Sequence, residues 1–433
     1  MKASQKIDQL LAGRYVDPDS RQPVAVATRS LIIVASLAGA EEQAVSGLGF
    51  GKNLAVVSDH TTHQVLGERV EKALKGRFKI SSVVLPECPY PDDETVSTVR
   101  KATAGCDAVI AIGSGVINDL CKYASAQDGK PYAVFATAPS MNGYTSLNAA
   151  ITVHGHKMSL PAQAPVGAFF DLTILAAAPP RMIRSGLGDS LCRTTSQADW
   201  LLAHLLLGQS YRQLPYELLA DDEEALFAQA ADLTRGNLET MELLVRTLVL
   251  SGFGTAIVGT SQPASQGEHL ISHYIDMFAE PTRPMVFHGE QVGVTTLSMA
   301  RLQQMMLASR PTIVPDTATE TLFKDRYGDE TGASCWAEFS KKRVDSKLAE
   351  RLNDTLATQW NDIRQKIAAV LLPAGHLAAV LTAAGADLAP EKMYLGRAFY
   401  EKALLHCRDI RGRYTFLDLA ANSGQLAPLI KSL

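Results

Sequence analysis

The segment Asp107-Ala-Val-Ile-Ala-Ile-Gly-Ser-Gly-Val-Ile-Asn-Asp-Leu-Cys-Lys122 joins an apolar run to a glycine turn and a helix-like stretch. We predict a buried strand, a turn at Gly113, Ser114 and Gly115, and then a helix. Glycines permit a tight turn and let a diphosphate approach backbone N–H groups, while the helix amino terminus adds a favourable dipole. Because G-x-G lacks the full G-x-G-x-x-G fingerprint, an ordinary strand-to-helix turn is an equal alternative here.

Similar apolar, β-branched runs alternate with amphipathic stretches over the first 180 or so positions. These runs are Leu31–Val34, Leu54–Val57, Ile80–Leu85, Ala108–Ile112 and Tyr132–Phe135. Strands that alternate with helices indicate βαβ units and a mostly parallel sheet. The sequence therefore predicts an α/β, Rossmann-like nucleotide-binding domain over residues 1–179.

The pattern changes after Pro179-Pro180, where long Leu/Ala-rich segments have helical spacing. The predicted helices lie within Leu187–Leu207, Glu223–Leu250, Lys347–Leu371, Ala374–Leu388 and Ala398–His406. The Thr-, Asp- and Pro-rich stretch Ser309–Thr331 is predicted to be a surface connection. We therefore expect an all-helical domain over residues 180–433.

Composition and charge exclude several classes of protein. The 433 residues are 46% hydrophobic and 20% charged, and 41 Lys+Arg against 45 Asp+Glu give a net charge of -4. That balance provides no general attraction for nucleic acid or an anionic membrane. Met1–Leu11 lacks the apolar stretch of a secretory signal, and the longest apolar tracts are too short to span a membrane. We expect a cytoplasmic protein.

The six cysteines include no C-x-x-C pair, which argues against a disulfide framework and a thiolate zinc site. A metal would therefore be held by His and carboxylate side chains. Three segments of the helical half contain such residues: Gly186–Asp189, Gly267–His273 and Phe287–Glu290. Two imidazoles and one carboxylate suit a divalent ion and leave a fourth position for substrate. For any single histidine, a hydrogen-bonded structural role is the more common alternative.

Two polar features follow predicted strands and could contact a cofactor. Asp59 follows Leu54–Val57, where a carboxylate can accept hydrogen bonds from adenosine ribose hydroxyls or can cap the next helix. Its charge would repel a 2′-phosphate, which favours NAD over NADP. The loop Ala136–Ser146 follows Tyr132–Phe135, and its small hydroxyl residues suit either cofactor contacts or a surface loop.

Six motifs, in order, resemble the sn-glycerol-1-phosphate dehydrogenase family, and the similarity runs from about Gly13 to Gly424. That family belongs to the superfamily of glycerol dehydrogenases, iron-containing alcohol dehydrogenases and dehydroquinate synthases. The motifs are GSGVIND (113–119), PSMNGYTS (139–146), MIRSGLGD (182–189), PASQGEH (263–269), HGEQVG (288–293) and RGRYTFLDL (411–419). The resemblance implies a dehydroquinate synthase-like fold.

The resemblance also implies a role for individual residues. The metal ligands would be Asp189, His269 and His288, and His273 would lie beside them, where it could contact a ligand or relay a proton. The nucleotide site would comprise Asp59, Gly113, Ser114, Gly115, Asp119, Thr137, Ser146 and Lys157. The ligand set accepts zinc, nickel or iron, of which we expect zinc. The family further suggests a homodimer or a larger homo-oligomer.

This chain departs from the family pattern at positions that bear on the substrate. Asn142 stands where the family usually has Asp, and Gln262 and Gln266 stand where Arg and Gly are expected. We expect an NAD(P)-dependent interconversion of dihydroxyacetone phosphate and sn-glycerol 1-phosphate, with Asn142 and His273 in the catalytic site. Asn142 keeps two alternatives open: a dehydrogenase of another polyol or phosphorylated ketone, and a catalytically weakened homologue. A carbon-cyclising synthase fits the motifs less well.

The phosphate of such a substrate needs a cation close to the site. Lys157, Arg184 and Arg283 are the candidates that the sequence offers. Loss of a phosphate-binding cation at Gln262 is a further open question.

Overall fold

A computed structural model describes residues 3–153 and 156–432. These residues form two compact units. Unit 1 contains residues 1–190, 212–261 and 383–386, and unit 2 contains residues 191–211, 262–382 and 387–433. Helices that follow residue 180 contribute to both units, and the predicted division at residue 179 stays a prediction.

Unit 1 contains a parallel sheet of six strands in the order β3-β10-β7-β6-β4-β5. Its strands are β3 (Ser30–Val34), β4 (Asn53–Asp59), β5 (Lys79–Leu85), β6 (Ala108–Gly113), β7 (Tyr132–Ala136) and β10 (Gly167–Asp171). The remaining strands form two antiparallel pairs, β1 (Tyr15–Val16) with β2 (Pro23–Val24) and β8 (Asn148–Val153) with β9 (His156–Pro161). The predicted parallel sheet is confirmed, and its central strands are buried as expected for a sheet covered on both faces.

The helices that the structure describes follow in chain order. They are α1 (Ala3–Leu11), α2 (Glu41–Ser46), α3 (His60–Thr62), α4 (Glu68–Leu74), α5 (Asp93–Ala102), α6 (Gly115–Gln127), α7 (Leu172–Ala176), α8 (Pro180–Leu191), α9 (Arg193–Leu207), α10 (Leu214–Ala228), α11 (Leu238–Val258), α12 (Gly267–Phe278), α13 (His288–Met306), α14 (Glu320–Tyr327), α15 (Asp329–Phe339), α16 (Ser346–Ala368), α17 (Ala374–Ala383), α18 (Arg397–His406), α19 (Phe416–Asn422) and α20 (Leu426–Ile430). Unit 2 has no strand within the described ranges, which confirms the predicted helical half.

Several predicted boundaries were wrong. The helix expected over Leu187–Leu207 is two helices that meet at Cys192. The helix expected over Glu223–Leu250 is interrupted between α10 and α11, where Gly236 has a φ of 78° and the Asn237 side chain caps α11. The expected connection Ser309–Thr331 contains α14, because Thr319 caps its first turn.

Helix α11 is long and apolar enough to cross a membrane by length and composition, contrary to the expectation that no tract reaches that limit. Within unit 1, however, 61% of its apolar window is buried, and it packs chiefly against α10. Its apolar surface is therefore covered by protein, as in a core helix.

Candidate active site

The predicted glycine turn lies between β6 and α6. Gly113 ends the strand, Ser114 has an extended backbone, and α6 begins at Gly115. A Cβ on Gly113 would lie 2.6 Å from the Cβ of Ile117, so only glycine fits beside the first turn of α6. A Cβ on Gly115 would lie 3.3 Å from the sulfur of Met141. The turn is therefore shaped by close packing, and its predicted contact with a diphosphate stays a prediction.

Asp59 occupies the end of β4, where the sequence placed it. Its Oδ1 accepts hydrogen bonds from the Thr62 backbone N–H at 2.7 Å and the Thr62 hydroxyl at 2.9 Å. Asp59 therefore caps α3, which was one of its two predicted roles. Its contact with a ribose stays a prediction.

A fully buried lysine, Lys122, holds the polar loop that follows β7. Its Nζ donates hydrogen bonds to the Gly143 carbonyl at 2.5 Å, the Ser146 hydroxyl at 3.2 Å and the Asn148 carbonyl at 3.1 Å. Burial lowers the pKa of Lys122 to about 8, although the nearby charge of Asp119 acts in the opposite direction. The sequence analysis gave Lys122 no role, and a lone cation on a mostly apolar helix was the available signal.

The other predicted cofactor residues lie around this loop. The Thr137 backbone N–H donates to the Gly113 carbonyl at 3.1 Å. Asp119 is buried and accepts the backbone N–H of Ala150 at 3.0 Å, which attaches β8 to α6. Lys157 pairs with Thr152 in the β8–β9 register, but its side chain lies outside the described residues.

The loop is also attached to Asp189, a buried residue near the end of α8. The Asn142 backbone N–H donates to Oδ2 of Asp189 at 2.7 Å. A Cβ on Gly186 would lie 1.7 Å from the Pro139 carbonyl oxygen, so α8 and the loop are in direct backbone contact. The buried side-chain amide nitrogen of Asn142 has no hydrogen-bond acceptor in the described part of the chain. The loop geometry thus depends on Asp189 through the main chain of residue 142.

Unit 2 brings three predicted histidines together. His269 lies in α12 and His288 begins α13, with their ring centroids 5.2 Å apart. The ring of His273, one turn further along α12, lies 5.9 Å from His269 and 6.2 Å from His288. Separate helices therefore supply a compact imidazole cluster.

Glu268, which the sequence analysis did not single out, fixes the orientation of His269. Its Oε1 lies 2.9 Å from Nδ1 of His269. A protonated Nδ1 leaves the Nε2 lone pair for a metal, which is the arrangement in which a carboxylate orients a ligating histidine. Burial would raise the pKa of Glu268, but the hydrogen bond and charge of His269 and the Gln266 backbone N–H keep it below its usual value.

Three further donors hold the same carboxylate. They are the Thr195 hydroxyl at 3.0 Å, the Ser196 hydroxyl at 2.8 Å and the Gln266 backbone N–H at 2.7 Å. Cys192, Glu268 and His269 also offer ligand atoms within 4.8 Å of one another. Because Glu268 already accepts these bonds, it is better suited to orient His269 than to bind an ion itself.

A second buried acid lies beside this network. Asp199 accepts hydrogen bonds from the backbone N–H groups of Phe416 and Gly267 and from the Gln303 side chain. Burial and the negative charge of Glu268 nevertheless raise the pKa of Asp199 to about 8. Unit 2 therefore places two acids side by side, with the pKa of Asp199 raised and the pKa of Glu268 lowered.

Comparisons with known proteins identify the class of enzyme. A model of the iron-containing alcohol dehydrogenase family matches residues 32–179. The crystal structure of glycerol dehydrogenase from Schizosaccharomyces pombe is 17% identical, covers 94% of this chain and 88% of its own, and has a TM-score of 0.61. The likeness shows the shared fold of an α/β sheet followed by helices. Together with the relatives described next, the matched family model assigns the chain to the NAD(P)-dependent alcohol dehydrogenases.

Sequence comparison narrows the class to one family. The chain is 32% identical over 289 residues to a protein of Geobacillus thermodenitrificans named glycerol-1-phosphate dehydrogenase, NAD(P)+, with 63% of this chain and 70% of that protein covered. It is 31% identical over 277 residues to a protein of the same name from Thermococcus kodakarensis, with 64% and 78% covered. The chain belongs to the glycerol-1-phosphate dehydrogenase family, which confirms the resemblance found in its motifs.

Proposed function

We propose that this protein interconverts dihydroxyacetone phosphate and sn-glycerol 1-phosphate by hydride transfer to or from a nicotinamide, with a divalent metal held by Asp189, His269 and His288. The observation that carries the proposal is the orientation of His269 by Glu268 beside the ring of His288. Asp189 is the third ligand in the proposed set. Two neutral imidazoles and one carboxylate suit zinc, with nickel and iron as alternatives.

A divalent ion in this site would act as a Lewis acid toward the alcohol or ketone oxygen. The chain would supply orientation and proton handling. Glu268 fixes the His269 ring, and the bond from Asn142 to Asp189 couples the ligand to the polar loop. His273, beside both histidines, would carry a proton between the substrate oxygen and solvent.

We place the nicotinamide nucleotide at the Gly113–Gly115 turn, with Asp119, Thr137, Ser146 and Lys157 around it and Asp59 toward the adenosine. The position of the turn supports this placement, because it joins the carboxyl end of a parallel strand to the amino end of α6. A carboxylate at residue 59 favours NAD, while the relatives' names include both nucleotides. A cytoplasmic homodimer or larger homo-oligomer completes the proposal.

The test uses purified protein loaded separately with zinc, nickel or iron. NADH oxidation is followed with dihydroxyacetone phosphate, unphosphorylated dihydroxyacetone and other small ketones. We expect strong preference for dihydroxyacetone phosphate, and loss of both bound metal and turnover in Asp189→Asn. Faster turnover of an unphosphorylated ketone would favour a different polyol substrate.

One observation favours the alternative of a catalytically weakened homologue. The side-chain amide nitrogen of Asn142 has no hydrogen-bond acceptor in the described ranges. That alternative predicts NADH binding without turnover in the metal-loaded protein. It also predicts that Asn142→Asp restores turnover. Turnover by the unaltered chain excludes it.

A further inference from the structure

Arg413 of the RGRYTFLDL motif contacts the segment that leads into the histidine cluster of unit 2, and Arg411 of the same motif lies close to Arg413. Arg413 donates a hydrogen bond to the Ser265 carbonyl, which precedes His269 by four residues. Arg413 also interacts electrostatically with Glu268, the carboxylate bonded to His269. The cation therefore lies within a short distance of the proposed metal ligands.

The two guanidinium groups are close to each other and poorly hydrated. Both arginines are half-buried. Burial, and then the positive charge of Arg411, lower the pKa of Arg413 to about 10. Burial likewise lowers the pKa of Arg411, against the opposing charge of Glu338. Such a pair favours an anion that compensates for lost water.

The protein does not supply such an anion to the Arg411 side chain through a direct contact. That side chain makes no hydrogen bond or ion pair to any residue within 3–153 and 156–432. None of the Arg411 nitrogen atoms is among the described atoms buried without a partner, so the guanidinium can be reached by an oxyanion from solvent. Its five N–H donors match the oxygens of a phosphate.

The nearest carboxylates are engaged elsewhere. Glu338 accepts the Gly412 backbone N–H at 3.1 Å and forms an ion pair with Lys341. Glu268 accepts bonds from Thr195, Ser196 and Gln266 as well as contacting His269. Neither acid forms a direct ion pair with Arg411, so its positive charge is available to a ligand.

The segment that carries the arginines is firmly held. Lys342 donates to the Arg413 carbonyl at 2.8 Å and forms an ion pair with Asp418 at 2.9 Å. Thr415 caps α19 and exchanges hydrogen bonds with Asp418. A fixed backbone lowers the entropy lost when the arginines bind a ligand.

We propose that Arg411 and Arg413 form a phosphate subsite for the phosphorylated substrate, an inference that rests on the proposed function. The phosphate of a glycerol phosphate is attached to the carbon next to the reacting one, so its cations must lie near His269 and His288. Arg283 is less suitable, because it donates to Gln291 at 3.2 Å and to the Met393 carbonyl at 3.3 Å.

Arg411→Gln tests the subsite, with Arg411→Lys as a second variant and Arg351→Gln, on the exposed face of α16, as the control. The metal-loaded proteins are assayed with dihydroxyacetone phosphate and with dihydroxyacetone. We expect the ratio of the two kcat/KM values to fall roughly tenfold to a hundredfold in Arg411→Gln, as for loss of a charge-assisted pair. Arg411→Lys should retain part of the ratio, because a lysine keeps the charge without the planar fork. Arg351→Gln should leave it unchanged.

Calorimetric titration with inorganic phosphate provides a readout that needs no turnover. We expect Arg411→Gln to weaken phosphate binding and Arg351→Gln to leave it unchanged. If the unaltered protein turns over neither ketone, the proposed function fails, while the titration still decides the subsite. Equal phosphate binding by Arg411→Gln and the unaltered protein, or an unchanged substrate ratio, overturns it. The phosphate-subsite proposal is also overturned if Arg411→Gln loses affinity for NADPH but not for NADH, because that result would assign the arginines to the cofactor phosphate.

Discussion

The two units each bury an ionisable side chain, and their pKa values move in opposite directions. Burial lowers the pKa of Lys122 in unit 1 to about 8, and Lys122 binds three uncharged oxygens of the polar loop. Burial and Glu268 raise the pKa of Asp199 in unit 2 to about 8. Unit 1 therefore has a buried cation, Lys122, that holds a loop. In unit 2, the raised pKa of Asp199 reduces the negative charge beside Glu268.

The buried charges of the two units have different effects on their surroundings. In unit 1, Lys122 fixes backbone carbonyl groups, so its main effect is on the shape of the loop. In unit 2, the pKa of Glu268 is lowered and Glu268 contacts His269, whereas Asp199 accepts hydrogen bonds from backbone and amide N–H groups. The charge that remains is thus directed to the histidine that would bind a metal.

The largest expected effect lies in the chemistry of unit 2. Replacing His288 by Gln removes one of two imidazoles from the proposed ligand set and should lower kcat/KM about a thousandfold, the scale of a metal's several kcal/mol in the transition state. Metal content by mass spectrometry and NADH oxidation check it. The control is Gln291→Leu. Gln291 lies in α13 like His288, but it hydrogen-bonds the Ser272 hydroxyl and is not in the proposed ligand set. Full metal occupancy with normal turnover in His288→Gln would remove this residue from the site.

The next effect lies in unit 1 and concerns stability. Lys122→Met leaves three buried oxygens without their shared donor and should lower the free energy of unfolding by about 3 kcal/mol, as when one partner of a buried polar network is removed. NADH affinity should fall with it, because the loop loses its anchor. Urea unfolding and NADH fluorescence measure the two effects. Lys101→Met, on an exposed position of α5, is the control and should change neither.

A smaller effect is expected for Glu268→Gln, which keeps an acceptor beside His269 but removes the charge. Loss of a carboxylate that orients a metal-binding histidine typically lowers metal affinity roughly tenfold to a hundredfold. Competition with a chelator measures that affinity without turnover. Glu350→Gln, on the exposed face of α16, provides the matched loss of charge. Equal metal affinity in both variants would show that Glu268 serves the fold alone.

The sequence was sufficient for the sheet because its central strands are local apolar runs. β4, β5, β6 and β7 were all predicted within a few residues. β10 (Gly167–Asp171) was missed, since its five residues contain adjacent phenylalanines and no β-branched run. The helix breaks at Cys192 and Gly236 were not predicted either. Hydrophobic periodicity is averaged over a window of residues, so it does not detect the interruption of a helix at a single residue.

The residues of the site were accessible to different degrees. His269 and His288 stand in motifs that can be recognised in the chain. Their supporting residues depend on distant contacts, such as Ser196 with Glu268, which are 72 positions apart. Lys122 likewise binds Asn148 across a helix, a loop and the start of a strand. The spacing of residues along the sequence does not indicate such contacts, so they are identified only in the folded structure.

The last comparison tests the two buried groups directly through pH. Asp199→Asn mimics the protonated acid and should change stability least at the acid end of the range, at or below pH 3.8, where the Asp199 carboxyl is protonated in both states. An acid whose pKa rises from 3.8 to about 8 on folding binds more protons in the folded state between those values. The free energy of unfolding of the unaltered protein, minus that of Asp199→Asn, should therefore fall as pH rises through this window and level off above it. For Lys122→Met the difference should instead rise between about 8 and 10.5, because the folded protein binds fewer protons there. Denaturant unfolding across this pH range measures both differences, and two curves with the same slope would show that the units do not treat their buried charges in opposite ways.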